Sequence, residues 1–103
     1  MPRVVEPTAA RTGTGRAAGP FFPPGDGQSL PGFPGSFRVK AKTPMPGGRL
    51  RPRWKTSDGR IFEWDFQHGM VEGYDGRGRH LGEFDPNTGS ARRASIPGRR
   101  VDP

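Results

Sequence analysis

The fold is decided by the stretch from Arg53 to Asp65, which reads RWKTSDGRIFEWD. At its centre, Asp58 and Gly59 form a dipeptide that supplies the positive φ needed by tight hairpin turns. In the second half, Phe62 and Trp64 alternate with Ile61, Glu63 and Asp65, as a strand with two different faces requires. The stretch therefore predicts a β-hairpin, with one strand at 53–56 and the other at 60–65.

The residues that follow repeat this pattern. Two more short strands are predicted at 70–74 and 79–84, each closed by a turn rich in Asp, Gly, Pro or Asn. Turns that recur about every ten to twelve residues are typical of a small antiparallel sheet. The last segment, 90–101, is predicted either to add an edge strand or to wrap around the sheet, and no window shows a sustained helical period. The fold class is therefore mainly β.

The residues before position 48 have a different composition. Segments 19–25 and 30–35 place Pro or Gly at every second or third position, which excludes a helix and interrupts any sheet ladder. We interpret residues 1–48 as a largely irregular linker or extension that includes the start of a basic arm, and residues 49–103 as the folded domain. Four aromatic residues of the extension are expected to be solvent-exposed rather than docked: Phe21, Phe22, Phe33 and Phe37.

The composition limits the class of partner. The chain of 103 residues carries 17 Lys and Arg against 10 Asp and Glu, a net charge of +7, so RNA, DNA, an anionic membrane or an acidic protein could bind it. The absence of cysteine excludes disulfides, a thiol nucleophile and a zinc ribbon. Apolar runs are too short for a secretory signal or a bilayer span, so we expect no stable membrane association.

Positive charge is concentrated in one segment. Between Arg38 and Lys55 there are seven basic residues and no acidic residue. An extended arm of this kind suits a phosphate backbone, although a merely solubilising segment is the alternative. The seven residues are Arg38, Lys40, Lys42, Arg49, Arg51, Arg53 and Lys55.

Three residues that follow the hairpin could carry out chemistry. Asp65, His68 and Glu72 fall within eight residues, across a strand end, a turn and the next strand. RNA cleavage without a metal needs a base for the ribose 2′-hydroxyl, a cation beside the phosphorane and a proton for the departing 5′-oxygen. A carboxylate, an imidazole and a guanidinium supply these groups. Polar residues at a hairpin end are also ordinary surface, so the spacing alone leaves both interpretations open.

The same residues, and the aromatic residues near them, are also compatible with other roles. Asp65, His68, Glu72 and His80 could hold a divalent ion, but the short motifs of zinc hydrolases and HNH-type nucleases are missing, so we predict no metal and no cofactor. The alternation of Phe62, Trp64 and Phe66 favours the core over a base-stacking platform. Trp54 and Tyr74 could either pack in the core or stack on an RNA base.

Several motifs, in order and at preserved spacing, resemble the cytotoxic ribonuclease domain of cloacin and the ribosome-cleaving E-type colicins. The resemblance is clearest from Trp54 to Val101, and more loosely reaches residues 42–48 upstream. It implies a compact, highly twisted antiparallel sheet at the end of a longer bacteriocin or polymorphic toxin. The motifs are Glu63-Trp64-Asp65, Gln67-His68-Gly69, Glu72-Gly73-Tyr74, Asp75-Gly76, His80-Leu81-Gly82 and Phe84-Asp85-Pro86-Asn87-Thr88-Gly89.

The resemblance also implies a set of site residues. Asp65, His68 and Glu72 match the family's catalytic acidic and imidazole positions, and the spacing from Phe84 selects Arg99 rather than Arg100 as the catalytic arginine. Met70 stands where the family usually has an acidic residue, which could alter pairing with an immunity protein. The residues expected to contact RNA are Arg49, Arg51, Arg53, Lys55, Tyr74, His80 and Arg100.

The activity that the resemblance implies is that of a metal-independent endoribonuclease. Such a toxin cuts 16S ribosomal RNA once, in the decoding centre at the A site of the 30S subunit, by 2′-hydroxyl attack that leaves a 2′,3′-cyclic phosphate. An acidic immunity protein would bind it in the producing cell, and the toxin would act in the cytoplasm of the target bacterium. The alternative from a different class is a non-catalytic, basic module that binds RNA or the ribosome.

Overall fold

The computed structural model describes residues 22–103, and its regular structure consists of six strands with no helix. All six form one antiparallel sheet in the order of the chain, which confirms the predicted fold class. Among these residues there is no helix of the length and apolarity needed to cross a membrane. The strands are β1 Phe37–Val39, β2 Arg53–Lys55, β3 Ile61–Asp65, β4 Met70–Tyr74, β5 His80–Phe84 and β6 Ala91–Ala94.

The predicted hairpin is formed by β2 and β3. Arg53 pairs with Glu63, and Trp54 pairs with Phe62. Gly59 adopts a φ of 90°, which a residue with a Cβ rarely tolerates, and the turn is closed by a 3.0 Å hydrogen bond from the Thr56 amide to the Arg60 carbonyl. Strands β3, β4 and β5 then continue the antiparallel sheet with one-turn connections.

One face of the sheet carries the apolar core. Trp54, Phe62, Trp64 and Val71 are buried on this face, and the ring centroids of Trp54 and Trp64 lie 6.3 Å apart. Phe66 and Phe84 pack against the same cluster. The preference for the core over base stacking is therefore confirmed for the aromatic residues of β3, and Trp54 belongs to the core as well.

The proline- and glycine-rich segment covers this face, which corrects one of our expectations. Leu30 is fully buried and Phe33 is 8% exposed, with the Phe33 ring centroid 4.1 Å from that of Phe62. The Trp54 indole donates a 3.0 Å hydrogen bond to the Gln28 carbonyl. Gly32 donates to the Pro86 carbonyl at 2.7 Å, and a Cβ at Gly32 would overlap the backbone of the β5–β6 turn.

Interpreting this part of the chain as an extended linker is therefore wrong for residues 28–39. These residues cover the core and form the edge strand β1. Leu30 and Phe33 are enough to fill the aromatic face, although most of their neighbours are Pro and Gly. Phe22 and Phe37 are exposed as predicted, at 81% and 49%. Phe21 and the remainder of the extension up to residue 21 lie outside the described residues, so the division of the whole chain at residue 48 stays a prediction.

The opposite face of the sheet is polar and partly covered. The loop between β1 and β2 folds back through a bridge between Pro44 and Leu50, and the Lys42 ammonium donates a 2.6 Å hydrogen bond to the Pro103 carbonyl. After β6 the chain returns along β5, where Arg79 and Arg100 form a bridge. Both predicted outcomes for segment 90–101 therefore occur, an edge strand followed by a wrapping segment.

A bulge in β5 sets the direction of the polar side chains. Tyr74 pairs with His80, but the next residue back along β4, Gly73, pairs with Gly82, so Leu81 is extra on its strand. A bulge of this kind changes which face the following residues occupy. His80 and Glu83, three positions apart, consequently point to the same polar face and into the same pocket.

Candidate active site

A pocket of about 380 Å³ opens on the polar face, where β4 and β5 meet the β3–β4 turn, β6 and the returning C-terminal segment. Its walls carry three carboxylates, two imidazoles and two guanidinium groups. All four residues predicted to be catalytic line it. The lining residues are Asp65, His68, Glu72, His80, Glu83, Arg93, Ala94, Ile96 and Arg99.

Asp65 builds the β3–β4 turn and holds His68. One carboxylate oxygen accepts hydrogen bonds from the amides of Gln67 and His68, at 2.8 and 3.3 Å. The other oxygen lies 2.7 Å from Nδ1 of His68. This contact fixes a proton on Nδ1, so that the opposite nitrogen, Nε2, is the one available to a substrate. The His68 side chain is 47% exposed.

Glu72 is held by His80. The Ile96 amide donates a 2.9 Å hydrogen bond to Nδ1 of His80, so Nδ1 is an acceptor and the ring proton lies on Nε2. Nε2 then donates to the Glu72 carboxylate at 2.7 Å. Because the imidazole ring is buried and both its nitrogens are occupied, His80 orients Glu72 rather than contacting RNA.

Arg99 approaches the same carboxylate from the C-terminal segment. Its Nη1 lies 3.8 Å from Oε1 of Glu72, and its positive charge acts on the Tyr74 hydroxyl. Burial raises the pKa of Tyr74, although the positive charge of Arg99 opposes the rise, so the phenol keeps its proton. Burial alone would lower the pKa of Arg99, but Tyr74 and Glu72 outweigh it and raise the value.

Two further residues of the pocket were missed by sequence reasoning. Glu83 lies across from Glu72 in the strand register, 3.6 Å from Nδ1 of His68. Arg93, its register partner on β6, places Nε 3.4 Å from the other Glu83 oxygen. Desolvation by burial and the negative charge of Glu72 raise the pKa of Glu83. Strict strand alternation from His80 would have placed Glu83 on the core face, and only the bulge at Leu81 reverses this.

The residues predicted to contact RNA are not brought together. Arg53 is 1% exposed and ion-paired with Glu63, so it is removed from the RNA-contacting set. Tyr74 is 2% exposed and His80 8% exposed, so little of either side chain is available for the predicted contact with RNA. The side chains of Arg49 and Arg100 are exposed, while Arg51 and Lys55 are half-buried. The basic arm is therefore folded into β1, β2 and the loop between them, and its basic side chains range from buried to exposed.

Asp65, His68 and Glu83 have donor atoms within 4.8 Å of one another, the spacing that a metal ion would need. The His68 nitrogen nearest the carboxylates is, however, engaged with Asp65. Glu72 and His80, which the sequence offered as further ligands, are bonded to each other. We therefore assign none of these residues a ligand role, and metal independence stays a prediction.

The chain was compared with known proteins. Residues 22–102 match the family model described as Cytotoxic. The chain is 45% identical to colicin E3 of Escherichia coli over 80 residues, which is 75% of this chain and 13% of the colicin. It is 48% identical to colicin E6 of Escherichia coli over 65 residues, 60% of this chain and 12% of that protein. With cloacin of Escherichia coli it shares 39% identity over 94 residues, 88% of this chain and 17% of cloacin. The chain therefore spans less than a fifth of the length of these relatives.

Proposed function

The chain belongs to the Cytotoxic family, and we propose that it is a metal-independent endoribonuclease of a bacteriocin-type toxin, which cleaves 16S ribosomal RNA. The observation that carries the proposal is the composition of one pocket. A buried carboxylate, Glu72, a half-exposed imidazole, His68, and a guanidinium, Arg99, line the same cavity of about 380 Å³. These are the three kinds of group that metal-free RNA cleavage requires.

The reaction assigned to this pocket is a 2′-hydroxyl attack on the adjacent phosphate. Glu72 accepts the 2′-hydroxyl proton while the ribose oxygen bonds to phosphorus. Arg99, which forms an ion pair with Glu72, neutralises the charge of the phosphorane. His68, fixed by Asp65, donates a proton from Nε2 to the departing 5′-oxygen. The base gains one proton and the acid loses one, and the products are a 2′,3′-cyclic phosphate and a 5′-hydroxyl.

The target and the partners belong to the same proposal. The relatives are colicins and a cloacin, and the net charge of +7 suits a surface of folded RNA. We assign the decoding centre of the 30S subunit as the cleavage site and an acidic immunity protein as the partner in the producing cell. The toxin is delivered from the producer and acts in the cytoplasm of the target bacterium.

A translation assay separates the enzyme from a non-catalytic ribosome-binding module. We expect the purified protein to stop synthesis in a bacterial extract, and we expect His68→Ala to lose this effect while still sedimenting with ribosomes. The loss follows because Asp65 then has no imidazole to orient and the 5′-oxygen has no proton donor. Equal inhibition by the wild type and His68→Ala would show that binding alone stops translation.

Ribosome affinity should depend on two exposed arginines, Arg49 in the loop between β1 and β2 and Arg100 in the segment after β6. Arg49→Ala and Arg100→Ala are each expected to weaken binding at low salt and to reduce the slope of log affinity against log salt by about one, the value for one phosphate contact. Arg60→Gln, on the aromatic face, is the charge-matched control, since its guanidinium lies 5.6 Å from the Phe62 ring centroid. If the two variants resemble the control at every salt concentration, neither arginine contacts phosphate.

A further inference from the structure

Glu83 is the pocket carboxylate that the proposed reaction does not use. Its side chain is 8% exposed, yet both of its oxygens face charged groups of the site. One oxygen lies 3.6 Å from Nδ1 of His68 and the other 3.4 Å from Nε of Arg93. A buried carboxylate is costly unless its contacts compensate for the lost water, and here both contacts are residues that line the pocket.

Each element around Glu83 contributes a charged or titratable side chain. From the β3–β4 turn, Asp65 and His68 face it; from β4, Glu72 is its register partner; and from β6, Arg93 is its other register partner. His80 and Arg99 complete the pocket and are both bound to Glu72. Nδ1 of His68 therefore lies between two carboxylates, with Asp65 at 2.7 Å and Glu83 at 3.6 Å.

We propose that Glu83 is a positioning residue, which together with Asp65 holds the His68 imidazole in the pocket and, with Arg93, sets the pH range in which the site works. The inference rests on the proposed ribonuclease function for its kinetic consequence. Its electrostatic consequence is independent of that function. Removing a negative charge makes every neighbouring proton easier to lose, and removing a positive charge does the opposite.

Two substitutions of opposite sign follow from this arrangement. Glu83→Gln keeps the shape of the side chain and removes its charge, so the His68 ring should lose its proton at a lower pH. Arg93→Ala removes the charge that offsets Glu83, so His68 should lose its proton at a higher pH. We expect the shift in Glu83→Gln to be the larger of the two, because Glu83 is buried beside the ring and Arg93 is exposed. A purely structural role for Glu83 would not produce this pair of shifts.

Two control variants remove the same kinds of charge from positions outside the pocket. Arg92 is the adjacent β6 arginine and is not among the residues that line the pocket. Arg92→Ala therefore removes the same charge as Arg93→Ala from the same strand. Asp26 has a side chain that is 95% exposed and pairs with Arg38. Asp26→Asn therefore removes one carboxylate charge without touching the pocket.

The deciding experiment is an NMR titration of the His68 ring in the five proteins, followed by pH profiles of ribosome cleavage. We expect the midpoint of the His68 titration to be lower in Glu83→Gln and higher in Arg93→Ala than in the wild type. Both limbs of the pH profile of cleavage should move in the same direction as the midpoint of each variant. The two control variants should stay close to the wild type. Arg93 is largely exposed, so its variant reports even if Glu83→Gln folds poorly. Midpoints that follow the controls would overturn the inference. Absence of cleavage by the wild type would contradict the proposed function instead, and the ring titration would still decide the role of Glu83.

Discussion

Glu72→Gln is expected to reduce cleavage of ribosomal RNA by about 1,000-fold, within the range that a general base contributes. The amide keeps an oxygen that can accept the 2.7 Å hydrogen bond from His80, so the side chain should stay in place. It has no basic oxygen to take the 2′-hydroxyl proton. The loss should therefore appear in the rate of the chemical step, measured under single-turnover conditions with the enzyme in excess over ribosomes.

Two comparisons make this result specific to the base. Asp26→Asn removes a carboxylate outside the pocket and should cleave at the wild-type rate. Ribosome binding by Glu72→Gln should equal or exceed that of the wild type, because a negative charge has been removed from an RNA-binding surface. If Glu72→Gln cleaves within a few-fold of wild type, the base is another group of the pocket, and His68 is the next residue to test.

Breaking the buried Arg53–Glu63 pair is expected to have the largest effect on stability. Both side chains are 1% exposed, and the Glu63 oxygen that accepts from Arg53 at 2.7 Å also accepts from the Thr43 hydroxyl at 2.6 Å. Glu63→Met would leave the Arg53 guanidinium buried without its counter-charge. Loss of one partner of such a pair costs about 3–5 kcal/mol in the free energy of unfolding. Urea denaturation followed by tryptophan fluorescence measures it.

A double variant tests whether the loss of stability comes from the unpaired charge of Arg53. The double variant Arg53→Met with Glu63→Met should recover much of the stability lost by Glu63→Met alone, since two apolar side chains pack without an unpaired ion. Asp58→Asn, which breaks the exposed pair with Arg60, should change the unfolding midpoint little. A midpoint for Glu63→Met equal to that of Asp58→Asn would show that the pair adds nothing to stability.

The sheet was predictable because its central strands follow simple local rules. The Asp58-Gly59 turn and the alternation of Phe62 and Trp64 fix the β2–β3 hairpin without any knowledge of the rest of the chain. The strand Met70–Tyr74 was predicted with its observed bounds. Asp65, His68 and Glu72 occur together in sequence, so a single hairpin end brings them to one pocket.

The remaining features depend on contacts between distant parts of the chain. Leu30 and Phe33 are buried only because the aromatic face of the sheet needs a cover, and their Pro- and Gly-rich surroundings give no periodic signal. Arg53 belongs to a basic run in sequence, but its partner Glu63 is ten residues away across a strand pair. Glu83 reaches the pocket through a bulge, which Gly82 inside the strand could have indicated but did not locate.

We propose that this pocket cleaves ribosomal RNA without a metal. The most direct test is to incubate the purified protein with bacterial ribosomes in EDTA and to analyse the small-subunit RNA. We predict one discrete fragment from its 3′ end, with a 5′-hydroxyl on that fragment and a 2′,3′-cyclic phosphate on the remaining RNA. Absence of the fragment with folded protein, or its appearance only when a divalent metal is restored, would contradict the proposed function.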